Sequence, residues 1–215
     1  MSRIPRKPTV PYGLQWNPDP PITVISLVTY AVAAGVYTIL SWLGVIALPL
    51  GIVSVSVLFV AIGFGIPFAI WFGGWGLLIG YIGSFLGAGI LAGTPVLLAI
   101  PFAFVDWIQF GVPLVAYRVL APRLGLHPLG KDVYSRKGFL FFLVFAVLIP
   151  NGLGSLYGIG ILSAGGLVPP AAFWPGVVAW WVGNMVVTVI IAPVLLRVLT
   201  PVIERFGLAT YGVIT

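Results

Sequence analysis

Between Ile22 and Leu199 the chain is built from long apolar stretches with almost no charge inside them. Runs such as Val53–Phe72 and Phe139–Ile149 do not alternate apolar with polar residues. An outer-membrane-type barrel would alternate, because its strands show lipid one face and the lumen the other. Water is absent from hydrocarbon, so an unbroken apolar stretch must satisfy its own backbone groups, and the helix does this within a single segment. The balance of residue types agrees. Of 215 residues 60% are hydrophobic and 7% charged, too few charges to clothe a soluble domain of this size. The expected fold is therefore all-α, a polytopic bundle of transmembrane helices. There is no cysteine, which removes disulfides, thiolate nucleophiles and cysteine metal sites together.

Six spans can be drawn, at about Ile22–Leu43, Leu48–Phe72, Gly74–Leu91, Pro95–Leu120, Gly138–Leu162 and Phe173–Leu199. The second holds Pro49, Gly51, Gly63, Gly65 and Pro67, so a broken or kinked helix is expected there. A five-span reading with that region re-entrant is the competitor. Residues 1–21 read as a cytoplasmic tail, 22–200 as the transmembrane domain and 201–215 as a second cytoplasmic tail. The basic N-terminus leads into the proline-rich stretch Pro8–Pro21, so no cleavable leader is expected.

The net charge of +6 would suit nucleic acid, but the positions of the ten Lys and Arg residues point to a membrane surface. Arg3, Arg6 and Lys7 lie in the first tail. Arg118, Arg123, Lys131, Arg136 and Lys137 lie at or beside the loop Pro122–Lys137, and Arg197 and Arg205 near the C-terminal end. With six spans these three places share one side, which the positive-inside rule makes cytoplasmic. A cell-membrane protein with both ends inside is expected.

Against so apolar a background the few polar groups stand out. Asp106 is the one ionisable side chain deep within an expected span, and a carboxylate there costs several kcal/mol unless paired, hydrated or protonated. Gln109 follows one helical turn later on the same face. Asn151 and Asn184 lie in the fifth and sixth spans, the latter after Trp180-Trp181-Val-Gly and one turn before Thr188. Each of these could contact a polar ligand or serve as a structural hydrogen bond between helices. The row Gly76, Gly80, Ser84, Ala88 at four-residue spacing, with Gly83 and Gly87 beside it, predicts close helix packing and no chemistry. Tryptophans near span ends, Trp75 and Trp181 among them, are expected as interfacial anchors, with a few free to stack on an aromatic ligand.

Enzyme motifs are missing. His127 is the lone histidine, so neither a histidine metal cluster nor a Ser-His-Asp arrangement can be built, and there is no phosphate-binding P-loop. No catalytic residue, cofactor, metal or nucleic-acid partner is expected. Binding, transport or sensing is favoured.

The order of features carries a resemblance. Ala31–Leu40 reads AVAAGVYTIL, a Pro/Gly-broken segment follows, then FGGWGLLIGYIG over Phe72–Gly83, then Asp106 and Gln109 leading into Tyr117-Arg118. Over roughly residues 22–200 this resembles the substrate-binding S components of energy-coupling-factor (ECF) transporters. The resemblance implies six helices with cytoplasmic ends, a glycine-rich third helix near a ligand pocket, and capture of a vitamin-type micronutrient. It also implies a transmembrane coupling subunit and ATPase subunits as partners, the former contacting small residues of the first helix, here Ala31 and Gly35. Trp75, Asp106, Gln109, Asn151, Trp181 and Asn184 are the candidate substrate-binding residues, chosen for polarity or aromaticity at membrane depth. The ending Trp180–Asn184 with Ala192-Pro193 and Arg197 also resembles the last helix of membrane sensor domains that precede histidine kinases. A stand-alone sensor or a structural membrane subunit is the alternative function.

Overall fold

The computed structural model describes residues 13–14, 23–210 and 212–213, so most of the expected tail over 1–21, with Arg3, Arg6 and Lys7, lies outside the described residues. Six helical rods follow one another: α1 Val24–Ala47, α2 Ile62–Phe72, α3 Gly74–Ile90, α4 Val96–Arg123, α5 Arg136–Ala164 and α6 Pro170–Arg205. Among the described residues no strand forms beyond one isolated bridge, Pro49 with Ser56. Four rods, α1, α4, α5 and α6, are long and apolar enough to cross a membrane. They show large apolar side chains outward, Leu97 at 86% exposure and Ile190 at 63%, while Asp106, Gln109, Asn151, Asn184 and Thr188 are wholly buried. That inside-out distribution belongs to a protein whose solvent is lipid.

α1 opens on a capping box in which Thr23 Oγ1 accepts from the Ser26 amide (3.1 Å) and Ser26 Oγ accepts from the Thr23 amide (3.0 Å). It sits at the edge of the bundle, with 22% of its apolar window buried against 44% for α4 and α5. The glycine row of α3 explains how α1 is held. A methyl group on Gly83 would overlap the Tyr37 ring, and one on Gly87 would overlap the Thr38 carbonyl and meet Ser41. On α3's other side a methyl at Gly76 would come within 2.5 Å of the Ala69 Cα, which places α2 against α3 backbone to backbone. The turn between them is the single residue Gly73, at φ 61°, a conformation that a side chain resists.

The segment Leu48–Phe72 is a helix only from Ile62 onward. Its first half folds on itself: the Leu50 amide donates to the Val55 carbonyl (3.0 Å), the Val57 amide to the Leu48 carbonyl (2.8 Å) and Ser56 Oγ to the Gly44 carbonyl (2.9 Å). Pro49, with no N–H, and Gly51, at φ 83°, account for the loss of helix, and Ser54 shares the left-handed backbone at φ 66°. Hydropathy alone reads this half as span because Val53, Val55, Val57, Leu58, Phe59 and Val60 are apolar. The segment begins beside the end of α1, where Phe59 meets Gly44, and ends at the opposite pole, where Trp71 Nε1 donates to Thr200 Oγ1 (2.8 Å). α2 itself, at 11 residues, spans about 16 Å.

That opposite pole is tied by Arg118. Its guanidinium, 1% exposed, donates to the carbonyls of Ile70 (2.7 Å), Thr210 (2.9 Å) and Pro128 (3.0 Å). It thus joins α4 to the last turn of α2, the basic loop and the residues after α6. The Thr210 amide adds a bond to the Trp71 carbonyl (2.8 Å), and Thr200 Oγ1 donates to Leu129 (3.3 Å). α6 runs to Arg205, past the expected boundary at residue 200, so Glu204 reaches Lys131 as an ion pair and lies 3.9 Å from His127 Nε2.

Candidate functional site

The polar residues inside the bundle gather toward the pole capped by Leu48–Ala61. Asp106 is fixed from α3, where Ser84 Oγ donates to its Oδ2 at 2.5 Å. Its other oxygen, Oδ1, is buried with no partner. Gly80, a turn before Ser84, leaves room for this meeting: a methyl there would overlap the Phe110 ring and stand 3.1 Å from Asp106 Cβ. The Tyr37 hydroxyl of α1 lies beside Asp106, Ser84 and Ser41, yet makes no hydrogen bond of proper distance and angle.

Gln109 is oriented by a chain of hydrogen bonds. Asn151 Nδ2 donates to the Val147 carbonyl (2.8 Å), which turns its Oδ1 toward α4, where Gln109 Nε2 donates to it (3.1 Å). The amide directions are thus set by the network, and Gln109 Oε1 is left as a buried acceptor with no partner. Thr188 extends the chain to α6 through a long contact with Asn151 Nδ2 (3.4 Å). Gly154 of α5 admits the Gln109 side chain, since a methyl there would overlap it, and Gly158 admits the Trp180 ring in the same way, at 2.5 Å.

Between these groups lies a small cavity lined by Asp106, Gln109, Ser84 and Trp180, walled by Phe59 and Phe102 and closed from above by Ser54 and Ser56. It has room for the centre of a water-sized sphere over about 10 Å³, close to the space of one water. Trp180 Nε1 is a buried donor without a partner, and its ring is tilted at 52° to Phe102 with centroids 6.0 Å apart. Ser54 Oγ is bonded to Thr94 Oγ1 of the α3–α4 turn, which pins the covering segment to the rim. The lining therefore offers two unused acceptors and one unused donor, all buried.

Of the six residues expected from sequence, Asp106 and Gln109 line this cavity and Asn151 holds Gln109 in place. Asn184 is buried with both amide atoms unpartnered, one turn beyond Trp180 on α6. The two tryptophans lie elsewhere. Trp75 stacks on Tyr30 (centroids 5.4 Å, 15°), and Trp181 Nε1 donates to the Leu148 carbonyl (3.0 Å). Sequence reasoning did not single out Ser84, read as part of a packing row, nor Trp180, read as one anchor among several. For both the available signal was spacing: Ser84 continues the glycine row of α3, and Trp180 precedes Asn184 by one turn. Ala31 and Gly35 are exposed on α1, with open space over Gly35. Among the described residues no group of His, Cys, Asp and Glu could hold a metal ion. No protein-family model, no curated protein and no solved structure matches this chain.

Proposed function

We propose that this protein captures a small polar molecule within the membrane, as the substrate-binding subunit of a micronutrient (vitamin-type) uptake transporter of the ECF kind. One observation supports binding at this place: Asp106, Gln109 and Trp180, each with an unpartnered buried polar atom, line one small cavity at one pole of a lipid-facing bundle. Buried polar atoms are ordinarily satisfied, and in hydrocarbon the cost of leaving them bare is greatest, so a group of them in one place indicates a missing partner. In this reading Leu48–Phe72 counts as a crossing, half irregular and half helical, which gives six crossings and places both termini in the cytoplasm of a plasma-membrane protein. The basic residues Arg123, Lys131, Arg136, Lys137 and Arg205, together with the N-terminal tail, support that orientation. Separate coupling and ATPase subunits would supply the energy, since the chain has no nucleotide-binding loop. The peripheral α1, with Ala31 and Gly35 outward, would meet the coupling subunit.

The test is purification of the full chain from its native membranes. A co-purifying small molecule seen by native mass spectrometry, or coupling and ATPase subunits in the same peak, is expected. A kinase partner with neither of these would support a sensor, and an empty, partnerless chain would support a structural subunit. Gly35→Leu should abolish subunit co-purification and leave the fold intact, because it adds bulk to open space.

A further inference from the structure

Resting on the capture reading, we infer that the cavity beside Asp106 receives a compact cation bearing N–H donors: an ammonium ion or the –NH3+ head of a small primary amine. Within the lining itself, which the Tyr37 hydroxyl beside Asp106 does not join, the unused hydrogen-bonding capacity is mainly of one kind. Asp106 Oδ1 and Gln109 Oε1 both accept, and Gln109 cannot turn its amide to donate without breaking its bond to Asn151. Ser84 Oγ spends its hydrogen on the bond to Asp106 Oδ2, so within the lining its oxygen can only accept. Three acceptors suit the three donors of an –NH3+ group.

Charge points the same way. Among the described residues Asp106 makes no ion pair, and a carboxylate at membrane depth needs a counter-charge or a proton. A water molecule would fill the space and meet the acceptors, but it would leave an ionised Asp106 uncompensated. The walls favour a cation over a neutral donor, because Phe59, Phe102 and Trp180 line the same cavity and aromatic faces attract positive charge. Size sets the limit. A cavity with room for one water takes an –NH3+ head and excludes a quaternary ammonium. The Trp180 indole N–H, an unused donor in the same lining, gains no partner from a cation of this size.

The experiment follows thermal unfolding of the purified full chain at constant ionic strength against ammonium, methylammonium, tetramethylammonium, sodium and acetamide. Ammonium and methylammonium should raise the Tm saturably, with no rise from tetramethylammonium, sodium or acetamide. Asp106→Asn, close to isosteric, should weaken half-saturation by about tenfold or more, the loss of one charge-assisted bond. Gln109→Met should weaken it less. Both variants are checked for native helicity first, and if either is unfolded, the wild-type cation series alone decides. Equal stabilisation by sodium, stabilisation by acetamide, or no response to any cation would overturn the inference, the last leaving only water in the cavity. The two readings fail separately. A neutral molecule retained from native membranes would sink the cation and keep capture. Ammonium binding by a chain that carries no molecule and no partner would do the reverse.

Discussion

Two buried polar assemblies sit at opposite poles of the bundle and differ in how far their hydrogen-bonding capacity is used. Among the described residues only Arg118 Nε lacks a hydrogen bond at the basic pole, whereas at the other Asp106, Gln109 and Trp180 each keep a bare atom. At the basic pole the Arg118 guanidinium is spread over three carbonyls from three parts of the chain, and Trp71, Thr200 and Thr210 close the circuit. At the other pole Asp106 and Gln109 are each held on one side, by Ser84 and Asn151, and left open on the other. A network that satisfies its members fixes structure. One that fixes half of each side chain and leaves the other half bare positions those atoms for something else. Both kinds look alike in a sequence, as rare polar letters among apolar ones.

The sharpest way to break this comparison is to cut the Arg118 network. Arg118→Met strands the carbonyls of Ile70, Thr210 and Pro128, and unsatisfied buried acceptors cost about 1–3 kcal/mol each. A loss of at least about 3 kcal/mol is expected, read as lower Tm and poor yield of folded protein. Arg118→Lys should recover little, because an ammonium on a single stem cannot serve carbonyls in several directions at once. If Arg118→Met melts like the wild type, the basic pole is not the structural one.

Next in size is Gly183→Ala on α6. A methyl group there would overlap the Val57 carbonyl, which belongs to the segment covering the cavity. Overpacking of this kind costs about 1–3 kcal/mol. Because the clash is with that segment, hydrogen exchange should quicken over Leu48–Ala61 while the amides around Trp71 and Thr210 keep their protection. Uniform quickening would mean that the two poles are one cooperative unit.

Asp106→Asn should change stability by less than about 1 kcal/mol in either direction, since a polar group replaces a buried charge of the same shape. That small effect set against the large one at Arg118 is what separates a receptive site from a staple. A loss comparable with that of Arg118→Met would erase the distinction.

How far the sequence announced all this differs between the poles. The positions of the long helices were readable, because hydropathy and length answer to the bilayer alone. So were Asp106, Gln109, Asn151 and Asn184, since polar atoms at membrane depth need a reason wherever they point. Ser84 was not, because a serine in a row of small residues packs like an alanine until an acid is found opposite. Trp180 was hidden by the default of tryptophan to interfaces, although it is 5% exposed. The break in Leu48–Phe72 was readable from Pro49, Gly51 and the later glycines, but its extent was not, because hydropathy counts apolar surface and is blind to φ. Arg118 was read as a topology signal, which uses only its charge and its place in the chain. Its burial depends on carbonyls 48 and 92 residues away.

The smallest expected effect is that of acid on the basic pole. His127 is 34% exposed, and burial together with Lys131 pushes its pKa below 6.5, only partly offset by Glu204 and Asp132. The folded protein therefore resists a proton that the unfolded chain accepts, and stability must fall as pH drops below 6.5 through the folded value and level off beneath it. Above 6.5 the contribution is complete and flat. Its exposure to solvent keeps the effect slight. His127→Gln should remove that part of the pH dependence, whereas Asp106→Asn should leave it in place, because the two groups belong to different poles. If Asp106→Asn abolishes the slope instead, the titration sits at the cavity, and the basic pole has no part in how the protein responds to acid.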